Sequence, residues 1–166
     1  MSTARAYCTL TTLPGRVYAV GGYDDNLQDL ASAEVFDGHG WSPIANMSCP
    51  RHSHASVMTP DGILMILGGN SDGDGCLSTT EVFDPTRNQW TAAPSMSEEK
   101  RRLCAATLGQ LVYAIGGRSA VRHVATVEAY DPRSRSWTTL APMPTARSHL
   151  CVSVLNEMLY ACGGLG

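Results

Sequence analysis

The sequence most directly suggests calcium chemistry, in a glycine-rich stretch that runs from residue 70 to residue 81. Oxygen-bearing side chains hold the first, third and fifth places, glycine holds the sixth and glutamate the twelfth, as in an EF-hand loop. The residues concerned are Asn70, Asp72, Asp74, Gly75 and Glu81. An EF-hand also requires a helix on each side of its loop, so the interpretation depends on the flanking elements.

A second chemistry to consider is zinc binding by histidine and cysteine. His52 and His54 would project to one face if the backbone between them is extended, and His149 and Cys151 have the same spacing. A closed zinc site needs four ligands, and no third or fourth ligand is identifiable for either pair. We therefore interpret these histidines as hydrogen-bonding groups, and we expect neither a metal nor another cofactor.

Catalytic motifs are not recognisable in the chain. It has no G-x-S-x-G nucleophile elbow, no phosphate-binding loop and no paired cysteine motif. We therefore predict no catalytic residues and a non-enzymatic function.

Composition narrows the class of protein further. Twelve basic and fifteen acidic residues give a net charge of -3, which does not favour binding to nucleic acid or to an anionic membrane. The N-terminus lacks the apolar core of a signal peptide, and the densest apolar run, residues 63–67, is too short to span a bilayer. Four of the six cysteines lie in apolar strand-like segments, where a free thiol behaves as a small core residue. We expect reduced cysteines and a cytoplasmic location.

An internal repeat predicts the strands and turns that position these residues. A double glycine recurs at residues 21–22, 68–69, 116–117 and 163–164, roughly every 47 residues, and each follows a short apolar run. After the first three come a strand with glutamate followed by an aromatic residue, a turn, and then a tryptophan. The glutamates are Glu34, Glu81 and Glu128, and the tryptophans are Trp41, Trp90 and Trp137. Arg5, Arg51, Lys100 and Arg147 stand at a basic position in each repeat.

Each full repeat predicts four short antiparallel strands, which is the composition of a propeller blade. Glu81 belongs to the repeated strand, and the calcium-like stretch is flanked by strands rather than helices. We therefore interpret Glu81 as a blade residue and residues 70–76 as an ordinary loop.

The double glycine, the Glu-Val-Phe/Tyr-Asp-Pro strand and the later tryptophan resemble kelch repeats over essentially the whole chain. The resemblance implies an all-β, kelch-type β-propeller arc of four-stranded antiparallel blades. Three full repeats, at about 1–45, 46–94 and 95–141, are followed by a half repeat at 142–166. Complete kelch propellers usually have six or seven blades. The BTB and BACK segments that precede the propeller in ubiquitin-ligase adaptors are not recognisable.

The resemblance also implies a partner-binding face, built by the loops after the double glycine and by the residues just after the basic position. The matching residues of this chain include Ala6, and the candidates that we select are Tyr7, Tyr23, Ser53, His54, Asn70, Arg101, Arg102, Arg118, Ser148 and His149. Arginine can bind a carboxylate through two parallel hydrogen bonds, and tyrosine packs with little loss of entropy. The expected partner is a protein or an acidic or polar peptide. The basic position itself is interpreted as structural, and Arg122 and His123 as solvated loop residues.

The leading hypothesis is a non-enzymatic protein-interaction module, with an adaptor role in ubiquitination or a role in actin binding implied by the resemblance. One alternative is a kelch-fold enzyme acting on a sugar, of the oxidase or isomerase type. The other is a structural half-propeller that exists to assemble. We also expect self-association, because an open arc leaves blade faces and strand edges uncovered.

Overall fold

The computed structural model describes all 166 residues and is built from short strands. The first sheet comprises β1 (Thr9–Leu13), β2 (Arg16–Val20), β3 (Ala33–Phe36) and β4 (Trp41–Ile44). The second comprises β5 (Ala55–Met58), β6 (Leu64–Leu67), β9 (Thr80–Asp84) and β10 (Gln89–Ala93), with a small hairpin of β7 (Asn70–Ser71) and β8 (Gly75–Cys76) between β6 and β9. The third comprises β11 (Cys104–Leu108), β12 (Leu111–Ile115), β13 (Val127–Asp131) and β14 (Ser136–Thr139). The chain closes with the hairpin β15 (Cys151–Leu155) and β16 (Met158–Cys162).

The predicted fold class is confirmed. Each four-stranded sheet is an antiparallel meander in chain order, and the last hairpin forms the inner half of a further blade. The inner strands β1, β5, β11 and β15 contact one another in sequence, so the blades follow one another around a common axis as an arc. The structure contains no helix of the length and hydrophobicity needed to cross a bilayer.

Two hydrophobic cores lie between successive blades. Alternation along each strand sends one set of side chains to the preceding blade and the other to the following blade. The core between the first two blades consists of Leu13, Tyr18, Val20, Ala33, Met47, Leu64, Ile66, Phe83 and Trp90. The Trp90 indole N–H also donates to the Ala45 carbonyl at 2.8 Å, and Trp137 repeats this contact to Pro94 at 2.7 Å. The repeated tryptophan therefore fastens each blade to the previous one.

The double glycine forms the joint between neighbouring blades. In the first joint, the Gly22 N–H donates to the carbonyl of Arg51 at 2.9 Å, and a Cβ on Gly21 would lie 2.5 Å from that same oxygen. Gly21 and Gly22 both have positive φ, at 59° and 89°. Glycine is needed here because any side chain would prevent the close approach of the next blade's backbone.

The basic residue of each repeat turns back into its own blade and pairs with the repeated glutamate. The N–O distances are 3.1 Å for Arg5–Glu34, 2.9 Å for Arg51–Glu81 and 2.5 Å for Lys100–Glu128, and all three pairs are buried. Arg51 also donates to the Gly68 carbonyl at 2.9 Å, and Arg147 makes the corresponding bond to Gly163 at 2.7 Å. The basic position therefore has a structural role, as the sequence indicated.

In two of these pairs burial opposes ionisation of the glutamate, and hydrogen bonds outweigh the effect of burial. For Glu34, burial raises the pKa, but backbone and side-chain donation from Ser2 and from Arg5 lowers it to about 2. The pKa of Glu128 is also held below its usual value against burial, by Lys100 and the Ser97 N–H. Glu34 and Glu128 are therefore ionised within the fold at neutral pH.

Candidate partner-binding face

One end of the arc brings the two predicted sets of loop residues together. In each repeat the segment after the basic residue forms a β-bridge with the residue that follows the double glycine. The bridges are Ala6–Tyr23, His52–Asn70, Arg101–Arg118 and Ser148–Leu165. We call this end the loop face. The opposite end carries only the tight turns that join β1 to β2, β3 to β4 and their counterparts.

A row of backbone hydrogen bonds runs across the loop face from blade to blade. Ser53 donates its N–H to the carbonyl of Tyr7 at 3.0 Å, Arg102 donates to Ser53 at 2.7 Å, and His149 donates to Arg102 at 3.0 Å. These four residues have φ between 53° and 57°, in the left-handed region that non-glycine residues rarely adopt. We call them the left-handed row. Such conformations persist where the surrounding structure enforces them, and they are concentrated at functional sites.

Three arginines form what we call the basic cluster, which consists of Arg101, Arg102 and Arg118. None of the three forms an ion pair, and the Nε atom of each is buried without a hydrogen-bond partner. Arg101 and Arg118 exchange backbone hydrogen bonds at 2.8 and 3.0 Å, and Arg101 donates at 3.3 Å to the side-chain oxygen of Asn70. Three unpaired guanidinium groups in one place create a strongly positive potential that suits an anionic ligand.

Two histidines meet at one hydroxyl beside the basic cluster. The Oγ of Ser148 lies 3.1 Å from Nδ1 of His123 and 3.1 Å from Nδ1 of His149. Burial lowers the pKa of His149, and the positive charges of Arg102, His123, Arg101 and Arg118 lower it further. The role of His123 was missed in the sequence, where it was interpreted as a solvated residue.

The first blade contributes aromatic side chains to the loop face. Tyr7 and Tyr23 stack with their ring centroids 5.4 Å apart, and Tyr23 meets the His52 ring edge-on at 5.5 Å. The Nδ1 of His52 lies 2.6 Å from a carboxylate oxygen of Asp29, whose other oxygen accepts the Asp72 N–H at 2.8 Å. The loops of the first two blades are thereby fixed to each other.

Three of the predicted site residues do not present their side chains at the surface. Ser53 is 7% exposed, His54 is 5% exposed and Ser148 is fully buried. The Nε2 of His54 lies 2.9 Å from the Thr9 hydroxyl, and burial, together with Arg51 and His52, lowers its pKa to about 3. His54 therefore belongs to the contact between the first two blades rather than to the surface that a partner would touch. Tyr7 and His149 are exposed, and Tyr23, Asn70 and the basic cluster are partly exposed.

The calcium and zinc alternatives do not match the geometry. The Asn70 oxygen accepts from Arg101, and Glu81 binds Arg51 and the Ser48 N–H in the interior. His52 and His54 diverge because Ser53 between them is left-handed rather than extended. The His52 imidazole binds the Asp29 carboxylate and the His54 imidazole binds the Thr9 hydroxyl, both in the preceding blade.

Comparison with known proteins assigns the chain to a family. The blades, the joints and the loop face are those of a kelch-type β-propeller arc. Residues 1–164 match the model of the KLHDC2/KLHL20/DRC7 Kelch-repeats domain, so the chain belongs to the kelch-repeat family. A comparison with curated proteins gave no match. Kelch-repeat domains of this family are typically non-enzymatic and generally mediate protein binding, so the chain is a protein-interaction module.

Proposed function

We propose that the chain recognises an acidic or polar peptide segment of a partner protein through the loop face. The observation that carries this proposal is the basic cluster, in which three neighbouring arginines lack any acidic partner. Every other buried basic side chain of the repeats is paired or hydrogen-bonded within its own blade. A guanidinium group can bind a carboxylate through two parallel hydrogen bonds, which gives both affinity and a fixed orientation.

The remaining exposed residues of the loop face have distinct parts in this proposal. Tyr7 and Tyr23 offer a stacked, rigid aromatic surface for an apolar part of the peptide, at small entropic cost. Asn70 positions Arg101, and the exposed imidazole of His149 adds a hydrogen-bonding group beside the basic cluster. Ser53, His54 and Ser148 lie below this surface. Their hydrogen bonds position the loops that carry the exposed residues.

The proposed biological setting is drawn from the family and not from the site. We propose a substrate-recognition role within a ubiquitin-ligase adaptor, with an actin-associated scaffold as the second possibility. A cytoplasmic location would suit either role. In support of it, all six cysteines are unpaired, as expected in a reducing compartment.

We also propose that this chain on its own associates with a second copy. The outward side of the last hairpin exposes Leu155, Met158 and Tyr160 by 59%, 53% and 41%. These three side chains share one side of the hairpin, because cross-strand partners and alternate residues point the same way. We call them the terminal face. An apolar sheet face of this kind is normally covered by the next blade.

Peptide binding would test the proposed partner class directly. Arg101→Ala/Arg102→Ala should weaken binding of an acidic peptide, selected from a displayed peptide library, by at least about 30-fold if the guanidinium groups are desolvated in the complex. Arg87→Ala/Arg133→Ala removes the same charge from exposed turns on the opposite end and should leave affinity nearly unchanged. Equal loss of affinity in both double variants would show that net charge matters and that the loop face does not.

A further inference from the structure

The contact of two imidazoles with one hydroxyl has a chemical consequence for the loop face. A serine hydroxyl carries one proton, so Ser148 can donate to only one of the two Nδ1 atoms at a time. The other imidazole must then carry its proton on Nδ1 and donate it to the Ser148 oxygen. In the neutral state, one of the two histidines is therefore held in the Nδ1–H tautomer, which leaves its Nε2 as an unprotonated base.

That Nε2 is available to a proton from solvent. The Nε2 atoms of His123 and His149 have no hydrogen-bond partner in the chain. Both atoms are accessible to solvent. Protonation at Nε2 preserves both hydrogen bonds to Ser148, because the same imidazole continues to donate from Nδ1. The pair can thus gain a positive charge without rearrangement of the loops.

The basic cluster opposes this protonation until an anion arrives. His149 is surrounded by Arg102, Arg101 and Arg118 from the third blade and by His123, all of them positive or able to become so. Two acids lie on the adjoining segments. Glu98 pairs with Arg122 at 3.7 Å and accepts from Thr126. The exposed carboxylate of Glu99 lies near Cys76, as the three arginines do, and forms an ion pair with none of them. Burial and repulsion by the arginines therefore lower the pKa of His149 and disfavour its protonation in the free protein.

We propose that the basic cluster and the His123–Ser148–His149 contact together form a proton-linked oxyanion site, in which a carboxylate or other oxyanion binds with uptake of a proton from solvent by the imidazole pair. The bound anion cancels the potential of the three arginines, so the imidazole gains its proton and adds a further charge-assisted donor. By reciprocity, affinity for the anion rises as pH falls, by at most about tenfold per pH unit for each proton taken up. This inference rests on the proposed function for its site, but not on the identity of the peptide.

Sulfate is the appropriate probe, because its charge is constant near neutral pH whereas that of a phosphate monoester changes with a pKa near 6. Imidazole signals are followed by NMR from about pH 8 to about pH 5, in sodium sulfate and in sodium chloride of equal ionic strength. Sulfate should move the titration midpoint of His149 or His123 to higher pH, and arginine Nε–H signals of the basic cluster should shift on binding. His39, in an exposed turn at the opposite end, is the internal control and should titrate identically in both salts.

Two variants separate the parts of the mechanism. Arg102→Ala/Arg118→Ala should abolish the sulfate-dependent change in midpoint. His123→Gln/His149→Gln should keep sulfate binding and make it independent of pH, as read from the remaining arginine signals. Identical midpoints in sulfate and chloride, absence of any response in the arginine signals, or unchanged pH dependence in the double histidine variant would each overturn the inference.

The outcomes also distinguish this inference from the proposed function. If an acidic peptide binds the loop face with the same affinity at about pH 8 and about pH 6, the proposed function stands and the proton linkage is wrong. If sulfate moves the histidine midpoints but no acidic peptide binds, the oxyanion site stands and the proposed partner class is wrong. A phosphorylated peptide that binds more tightly than its glutamate counterpart would identify the oxyanion as a phosphate.

Discussion

At the scale of single residues, the glutamate that resembled a calcium ligand is the counter-charge of a buried arginine. Glu81→Gln would leave the Arg51 guanidinium buried without a negative partner, although one hydrogen bond could remain. We expect the free energy of unfolding to fall by about 3 to 5 kcal/mol, measured by urea denaturation. Glu99→Gln, at an exposed carboxylate that makes no ion pair, is the control and should change it by less than about 0.5 kcal/mol. Equal stability of the two variants would contradict the structural role of the pair.

His54 should make stability depend on pH above the range in which carboxylates titrate. Its folded pKa of about 3 lies below the unfolded value of 6.5, so the unfolded chain binds the extra proton as pH falls. The contribution of neutral His54 is complete above about pH 6.5 and is lost between there and about pH 3. Between about pH 7.5 and about pH 5 the free energy of unfolding should fall by about 2 kcal/mol.

The same measurement on two variants assigns this effect. His54→Gln should remove most of the pH dependence over that interval and leave the part due to His149, whose pKa is also lowered. His39→Gln, at an exposed turn, should preserve the full dependence. The Glu34 contribution, between its unfolded pKa of 4.5 and its folded pKa of about 2, is lost below this interval. An unchanged slope in His54→Gln would assign the titration to another group.

The residues of the loop face were only partly predictable from the sequence. The repeat register correctly placed the basic cluster next to Asn70 and His149, because each occupies a loop position fixed by the landmarks. It could not show that Ser53 is left-handed and buried, since no glycine marks the left-handed row. Nor could it show that Ser148, which precedes the last residue of that row, is buried. Nor could it show contacts between loops of different blades, such as His123 with Ser148, which depend on distances that only the assembled arc sets.

At the scale of elements, the double glycines offer a comparison within one chain. A Cβ on Gly116 would lie 2.5 Å from the Arg147 carbonyl and 2.9 Å from the end of Met143, whereas a Cβ on Gly163 would meet nothing within 4 Å. Both residues have positive φ, at 60° and 70°, so alanine strains the backbone at either position. Gly116→Ala should therefore cost about 1 to 3 kcal/mol more than Gly163→Ala in thermal or urea unfolding. Similar losses would mean that conformational strain alone explains the glycines.

The strands themselves were predictable because several landmarks recur together. Double glycine, glutamate, tryptophan and the basic residue each mark a different strand or joint, so their common period defines the blade and its four strands. The hairpin of β7 and β8 was expected only as a loop. Its pairing of Asn70 with Cys76 has counterparts in the bridges Tyr23–Asp29 and Arg118–His123, but only here does a second pair, Ser71 with Gly75, extend it into a hairpin. Hydrophobic alternation cannot indicate strands of two residues.

At the scale of the whole molecule, the terminal face should govern the oligomeric state of this chain. We expect association at micromolar concentration, measured by light scattering or sedimentation, because Leu155, Met158 and Tyr160 form an uncovered apolar surface. Leu155→Lys/Met158→Lys should shift the population towards the monomer. Val121→Lys, at an isolated side chain that is 85% exposed, is the control and should not. A well-folded parent that remains monomeric would show that the open arc is stable alone.

The left-handed row gives the arc a direction around its axis. Three of the four N–H groups in the row donate to the preceding blade, so the row begins at the Tyr7 N–H, which has no backbone acceptor, and ends at the His149 carbonyl, which has no backbone donor. The two ends are therefore chemically unlike, as the ends of a polar polymer are. A second copy related by a twofold axis perpendicular to the blade axis would place two donor ends or two acceptor ends together. No hydrogen bond of the row could then continue from one copy to the other. Rotation about the blade axis instead sets the acceptor end of one copy against the donor end of the other, so association along this row is head-to-tail. Such association forms a closed ring if the rotation closes and a spiral if it does not.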